Sequence, residues 1–174
     1  MGTTIMDTLQ AINTRKSIRK YTNEAVSDEM IHELLNSGFC APSARNRRPW
    51  HFVVIQDRAK LKKLAEYGKY YKMLNEAPLA ILVCGDTDLL EHDYIINDCS
   101  AAVQNILLSA HAMGLGAVWL GVKIDSMKEW YQTEFELPQH IIPVACISIG
   151  HPDEIRESSD RYEESKVHYE KFTR

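Results

Sequence analysis

No apolar run in these 174 residues reaches the length that spans a bilayer. The first residues lack the basic-then-apolar pattern of an export signal, so a cytoplasmic protein is expected. Cysteine offers no disulfide framework: Cys40, Cys84, Cys99 and Cys146 stand far apart, with no C-x-x-C among them. Cys84, Cys99 and Cys146 have apolar or small neighbours and read as small buried hydrophobes. Cys40, with Arg45 nearby, is the one remotely placed for nucleophilic chemistry, which needs a cationic and exposed setting. The seven histidines include no H-E-x-x-H pair, so no metal site is expected, and His51, His111 and His151 read as hydrogen-bonded structural residues. Gly114, Gly116 and Gly121 lack the G-x-G-x-x-G spacing of a Rossmann dinucleotide fold. Lys+Arg number 20 against Asp+Glu 24, a net charge of -4, which speaks against a nucleic-acid partner. There is no internal repeat and no low-complexity linker.

What is present fits one soluble domain over residues 1–174, since 45% of residues are hydrophobic and 25% charged. Thr4 to Ile12 reads as a short helix. Ser27 is the expected N-cap of a second, with Asp28 and Glu29 in its first turn and Met30, Ile31, Leu34 and Leu35 on its buried face. His51 to Ile55 reads as a strand, Asp57 as the cap of a charged helix to about Tyr67, and Tyr70 to Glu76 as a further helical turn. Pro78 stops that turn, and Leu79 to Cys84 is a buried strand. Asp93 to Met113 is the longest helix, closed by Gly114. It is apolar on more than one face, which predicts burial by a second subunit or by the protein's own elements. Its amides Gln104 and Asn105 are expected to be buried and to tie helix to loop. Ala117 to Val122 and Pro143 to Ile149 are strands, separated by a helix capped by Asp125. The tail over 151–174 is strongly charged. It cannot form its own core, so it is either disordered or lies across a surface such as the partner's. Two helices precede the first clear strand, so a regular βαβ series is not supported.

Three segments carry chemistry. Arg15, Lys16, Arg19 and Lys20, with Ser17 among them, reverse the local charge of an acidic chain. Together they can enclose a phosphate with charge-assisted hydrogen bonds of roughly 1.5–3 kcal/mol each, although a solvated basic turn has the same composition. Ala41 to Trp50, A-P-S-A-R-N-R-R-P-W, is bracketed by prolines and reads as a stiff loop, either a ligand wall or a structural turn. Asp98 to Gly121 joins the long helix to a strand ending Trp119-Leu120-Gly121, where glycine permits close approach to a flat ligand.

The R-K-S-I-R run, A-P-S-x-x-N-x-x-P-W, Q-N-I-L-L-x-A-x-x-x-G-L-G-x-x-W-x-G and the closing I-G-x-P…R-Y-x-x-S-x-V-H-Y-E resemble the FMN-dependent nitroreductase family, in order and nearly end to end. The resemblance implies an α+β fold, a mixed but mainly antiparallel sheet flanked by helices, in an intertwined homodimer with swapped terminal segments and two FMN sites at the interface. It places Arg15, Lys16 and Ser17 on the FMN phosphate, Arg19 beside the flavin pyrimidine edge, and Leu120, Gly121 and Val122 along the isoalloxazine. Pro42, Ser43 and Asn46 come from the other subunit, and Arg161 returns to the phosphate. No side chain is expected to be catalytic in its own right, because the flavin carries the hydride.

The implied activity is reduction of nitroaromatic, quinone or similar electrophiles with NADH or NADPH in ping-pong order. The alternatives are dehalogenation, enone reduction or flavin fragmentation on the same scaffold, or a non-catalytic FMN-binding redox module. The chain departs from the family pattern at Arg48, where glutamine is frequent, and at Phe172, where tryptophan is common.

Overall fold

The computed structural model describes residues 6–122 and 124–172, the side chains at 124–126 excepted. Helices α1 (Thr8–Thr14) and α2 (Asp28–Phe39) come first, then strand β1 (Trp50–Ile55) and α3 (Arg58–Tyr67). Strand β2 (Leu79–Asp86), α4 (His92–Ala112), β3 (Gly116–Gly121), α5 (Ile124–Glu134) and β4 (Ile141–Gly150) follow. The four strands form one sheet in the order β1-β2-β4-β3. All three pairings are antiparallel; a parallel contribution comes from an isolated bridge between Ser17 and Ala117. The fold is α+β, as the resemblance implies.

Alternation along the central strands divides the core in two. Leu79, Ile81 and Val83 face a layer of α2 and α4, with Leu34, Ile95, Val103 and Ile106. Ala80, Leu82 and Cys84 face the opposite layer, with Leu61, Leu64, Tyr71 and Tyr131. On that side Tyr67 stacks on Trp130 at 4.2 Å between centroids, joining α3 to α5. β2 and α4 pack so closely that a Cβ on Gly85 would lie 2.1 Å from Ile95 Cγ2. The three buried thiols are pushed up to about 12, by desolvation first, so they behave as hydrophobes.

Local signals set the helix ends. Ser27 Oγ accepts from the Met30 N–H and Asp57 Oδ1 from the Lys60 N–H. Gly114 follows α4 at φ +78, the left-handed residue that closes a helix. α1 lies later than the expected Thr4 to Ile12: Asp7 caps it and it continues to Thr14, while Thr4 falls outside the described residues, as does the capping side chain of Asp125. The turn after α3 is a 3₁₀ helix, Lys72–Asn75.

The amides of α4 correct the sequence expectation. Gln104 is exposed, and Asn105, half-buried, donates from Nδ2 to Ser37 O at 3.1 Å. The tie therefore runs helix to helix, from α4 to the last turn of α2. The tail does not form a core of its own: Ile155, Tyr162, Tyr169 and Phe172 are all exposed. Among the described residues no helix is long and apolar enough to cross a membrane.

Candidate functional site

β3 is an outer strand, and the basic run lies against its free edge. The Ile18 N–H donates to Ala117 O at 3.0 Å beside the Ser17–Ala117 bridge. Ile18 seats on Gly116, where a Cβ would come within 2.6 Å of Ile18 Cγ2. This fixes the spacing of Arg15, Lys16, Ser17 and Arg19 along the strand. The Arg19 N–H is capped by Glu154 Oε1 at 2.6 Å, and that bond is the leading cause holding the Glu154 carboxyl below its ordinary range.

The tail returns to this edge. Arg161 Nη2 donates to Arg15 O at 3.5 Å. Arg15 is half-buried, and desolvation followed by the Arg161 charge lowers its guanidinium from the ordinary value. The Lys16 ammonium is lowered too, by desolvation and then by Arg161 and Arg15. Among the described residues no ion pair involves the side chains of Arg15, Lys16, Arg19 or Arg161. Glu154 accepts from the Arg19 main chain and pairs with Arg156, which leaves these four side chains unpaired among the described residues; like charges held together in this way are relieved by a bound anion. Thr14 and Arg161 also line an open cavity of about 670 Å³ between the end of α1 and the tail.

A second cleft, of about 530 Å³, opens along the same strand. Arg19, Lys69 and Lys72 supply its cations, Val118 and Leu120 an apolar wall, and Tyr70 and Trp119 exposed aromatic surface, with no carboxylate in the lining. At Gly121 an added Cβ would meet nothing within 4 Å, so the main chain there faces open space that a flat ligand can approach. Tyr71 Oη–H donates to Gly121 O at 3.1 Å and is itself hydrogen-bonded by Tyr131 Oη–H at 3.3 Å. Desolvation first pushes the Tyr71 phenol up to about 12, so it remains a donor at neutral pH. Val122 packs partly against the core on this side.

Arg15, Lys16, Ser17, Arg19, Leu120, Gly121, Val122 and Arg161 thus gather at one sheet edge. Pro42, Ser43 and Asn46 do not join them. Their loop leads into β1, the other outer strand, three interstrand steps or about 14 Å away. The loop is tightly specified. The Ala44 N–H is shared by both oxygens of buried Asp98, at 3.1 and 2.9 Å, and the Arg48 N–H donates to Ser43 Oγ at 3.0 Å. Arg45, Asn46 and Arg48 have φ of 52, 53 and 48. A non-glycine residue in that region costs roughly 1–2 kcal/mol, and such strain persists where surroundings over-determine it.

Sequence reasoning missed Lys69, Tyr70, Tyr71 and Lys72 as cleft residues and Asp98 as the anchor of the loop. The K-Y-Y-K run carried a signal, two cations beside two aromatics just ahead of a buried strand. Asp98 stands out as a carboxylate directly ahead of the helix's long run of small and apolar residues, Cys99 to Val103.

The model of the nitroreductase family matches residues 12–69 and 65–151. A Methanothermobacter thermautotrophicus protein provisionally named NADH dehydrogenase/NAD(P)H nitroreductase is 43% identical over 169 residues, 96% of this chain and 88% of its own. A Bacteroides thetaiotaomicron crystal structure of the same provisional name is 43% identical with a TM-score of 0.91, over 95% of this chain and 98% of that one. A structure from Desulfovibrio desulfuricans, provisionally named a nitroreductase and solved in complex with FMN, is 38% identical with a TM-score of 0.86, over 97% and 99%. With the family model running through most of the chain and these relatives covering nearly all of it, this chain belongs to the nitroreductase family.

Proposed function

We propose that this chain is an FMN-dependent oxidoreductase that takes a hydride from NADH or NADPH and reduces nitroaromatic, quinone or similar electrophiles in ping-pong order. The observation that carries the reading is the cluster of Arg15, Lys16 and Arg161, without ion-pair partners among the described residues, continuing into a cleft that Arg19 borders. An acidic chain that concentrates cations on the same sheet edge as an open cleft fits a phosphate joined to a planar ring.

Bound FMN supplies reversible two-electron chemistry. The chain's own residues bind and orient. Arg15, Lys16, Ser17 and Arg161 hold the phosphate. Arg19 and Lys72, which line the cleft, would supply positive charge to stabilise an anionic flavin electrostatically. Leu120, Gly121 and Val122 line the ring, and Tyr71 fixes the carbonyl of Gly121. No protein acid or base is assigned to the hydride step, which requires stacked reactants with reacting atoms roughly 3–3.5 Å apart. A relative's provisional name, NADH dehydrogenase/NAD(P)H nitroreductase, and another's complex with FMN support the choice of FMN and a nicotinamide as reactants.

The working unit in this reading is a homodimer of single-domain chains with one FMN site at each side of the interface. Pro42, Ser43 and Asn46 reach the cleft of the second copy, since their own lies at the opposite sheet edge. The 151–174 tail extends over the partner, which would cover its exposed Tyr162, Tyr169 and Phe172.

Flavin retention in an Arg15→Ala, Arg19→Ala double variant tests the assignment. Loss of one charge-assisted bond weakens binding roughly tenfold to 150-fold, so the double variant is expected to purify without flavin. Full retention, with wild-type stoichiometry and absorbance, contradicts the site.

A further inference from the structure

We propose that Asp98 is a positioning residue acting in trans: from within one copy it holds the 42–48 loop in the shape that completes the flavin site of the other. The inference rests on the FMN reading above. Asp98 is 7% exposed on α4 and forms no ion pair among the described residues. A buried carboxylate without a cation is costly, so its presence calls for a local partner. That partner is the Ala44 N–H, which both carboxylate oxygens accept at 3.1 and 2.9 Å. Ala44 opens the 3₁₀ turn Ala44–Asn46; Arg45 and Asn46 within it and Arg48 just beyond it all have positive φ, and none is glycine.

Internal hydrogen bonds close the turn on itself, from the Asn46 N–H to Ser43 O and from the Arg47 N–H to Ala44 O. Asp98 ties the turn to the buried helix α4 and so sets its position relative to the rest of the chain. The loop lines no part of its own chain's cleft, which is bordered by Arg19, Tyr71, Lys72 and Leu120 at the far sheet edge. A change in Asp98 is therefore transmitted to the neighbouring copy's site and spares the chain that carries it.

Mixed dimers test the direction of action. Two differently tagged chains are co-expressed, purified as heterodimers and equilibrated at an FMN concentration that fills wild-type dimers. FMN per dimer is then read from absorbance. One heterodimer carries Asp98→Ala on one copy and the Arg15→Ala, Arg19→Ala pair on the other. Its doubly mutated copy holds a useless cleft, but the other copy's cleft receives an undamaged loop, so one FMN per dimer is expected. The second heterodimer carries all three substitutions on one copy beside a wild-type partner. Each site then has one damaged component, and clearly less FMN than in the first heterodimer is expected.

The reverse pattern, or equal occupancy in the two heterodimers, overturns the proposal. Wild-type dimers that bind no FMN would instead remove the reading on which it rests. Asp98→Asn keeps one acceptor for the Ala44 N–H and is expected to weaken FMN a few-fold where Asp98→Ala weakens it tenfold or more. The same pair of heterodimers made with Asp98→Asn gives the pattern in attenuated form if the alanine variant does not fold.

Discussion

Arg161 donates from Nη2 to the main-chain oxygen of Arg15 at 3.5 Å across 146 positions of sequence. The contact brings the tail's guanidinium to the basic run instead of to an acid. A folded chain that gathers like charges in this way gives up stability, which a bound phosphate restores.

Arg161→Ala is therefore expected to weaken FMN by tenfold or more while leaving the apo protein as stable as wild type, or slightly more stable. Raising the ionic strength should weaken FMN binding to wild type more than to the variant, because fewer charges remain to be screened. Isothermal titration at two salt concentrations, beside urea unfolding of the apo forms, checks both statements.

Gly121 and Gly85 give opposite expectations for the same substitution. At Gly121 an added methyl meets nothing within 4 Å, so Gly121→Ala should change stability by no more than about 0.5 kcal/mol. It should still impair FMN binding, since the methyl occupies space against the ring. At Gly85 the methyl would come 2.1 Å from Ile95 Cγ2, and the overpacking should cost about 1–3 kcal/mol. Denaturant unfolding and FMN titration on both variants separate the two kinds of effect.

Tyr71→Phe removes the donor to Gly121 O and leaves Tyr131 Oη–H without its acceptor. A loss of about 1–2 kcal/mol is expected, from one hydrogen bond and one buried hydroxyl left unpaired. Thermal and urea unfolding measure it.

The buried thiols predict alkaline instability. Cys84, Cys99 and Cys146 lie at about 12 in the folded protein against an ordinary 9.0, through desolvation. Above pH 9 the unfolded chain releases protons that the folded chain retains. Their contribution is thus complete below pH 9 and is lost as pH rises towards 12, by up to about 1.4 kcal/mol per pH unit for each thiol. Urea midpoints measured from pH 8 to pH 11 should fall, and these three thiols should resist a thiol reagent until the protein unfolds.

Much of this was legible in sequence wherever the signal was local. Ser27, Asp57 and Gly114 identify helix ends because capping depends on a single residue and its neighbours. The buried strand around Ile81 is plain from its continuous apolar run. Sheet order was not legible, since periodicity says which face is buried and nothing about which strand lies beside it. The separation of Asn46 from Arg19 within one chain agrees with the resemblance, which gives the Asn46 loop to the other subunit; periodicity alone does not contain it. Gln104 was expected inside because its neighbours are apolar, yet its own position on the helix faces outward. Tyr71 and Lys72 looked like ordinary helical residues, because their role comes from β3, some fifty residues later.

A visible absorption spectrum of the purified protein, recorded without oxygen before and after addition of NADPH or NADH, tests the central claim most directly. The account predicts a flavin band, present on purification or after incubation with FMN, that one of the two nicotinamides bleaches and a nitroaromatic or quinone then restores. A protein that takes up no flavin, or whose flavin neither nicotinamide reduces, contradicts it.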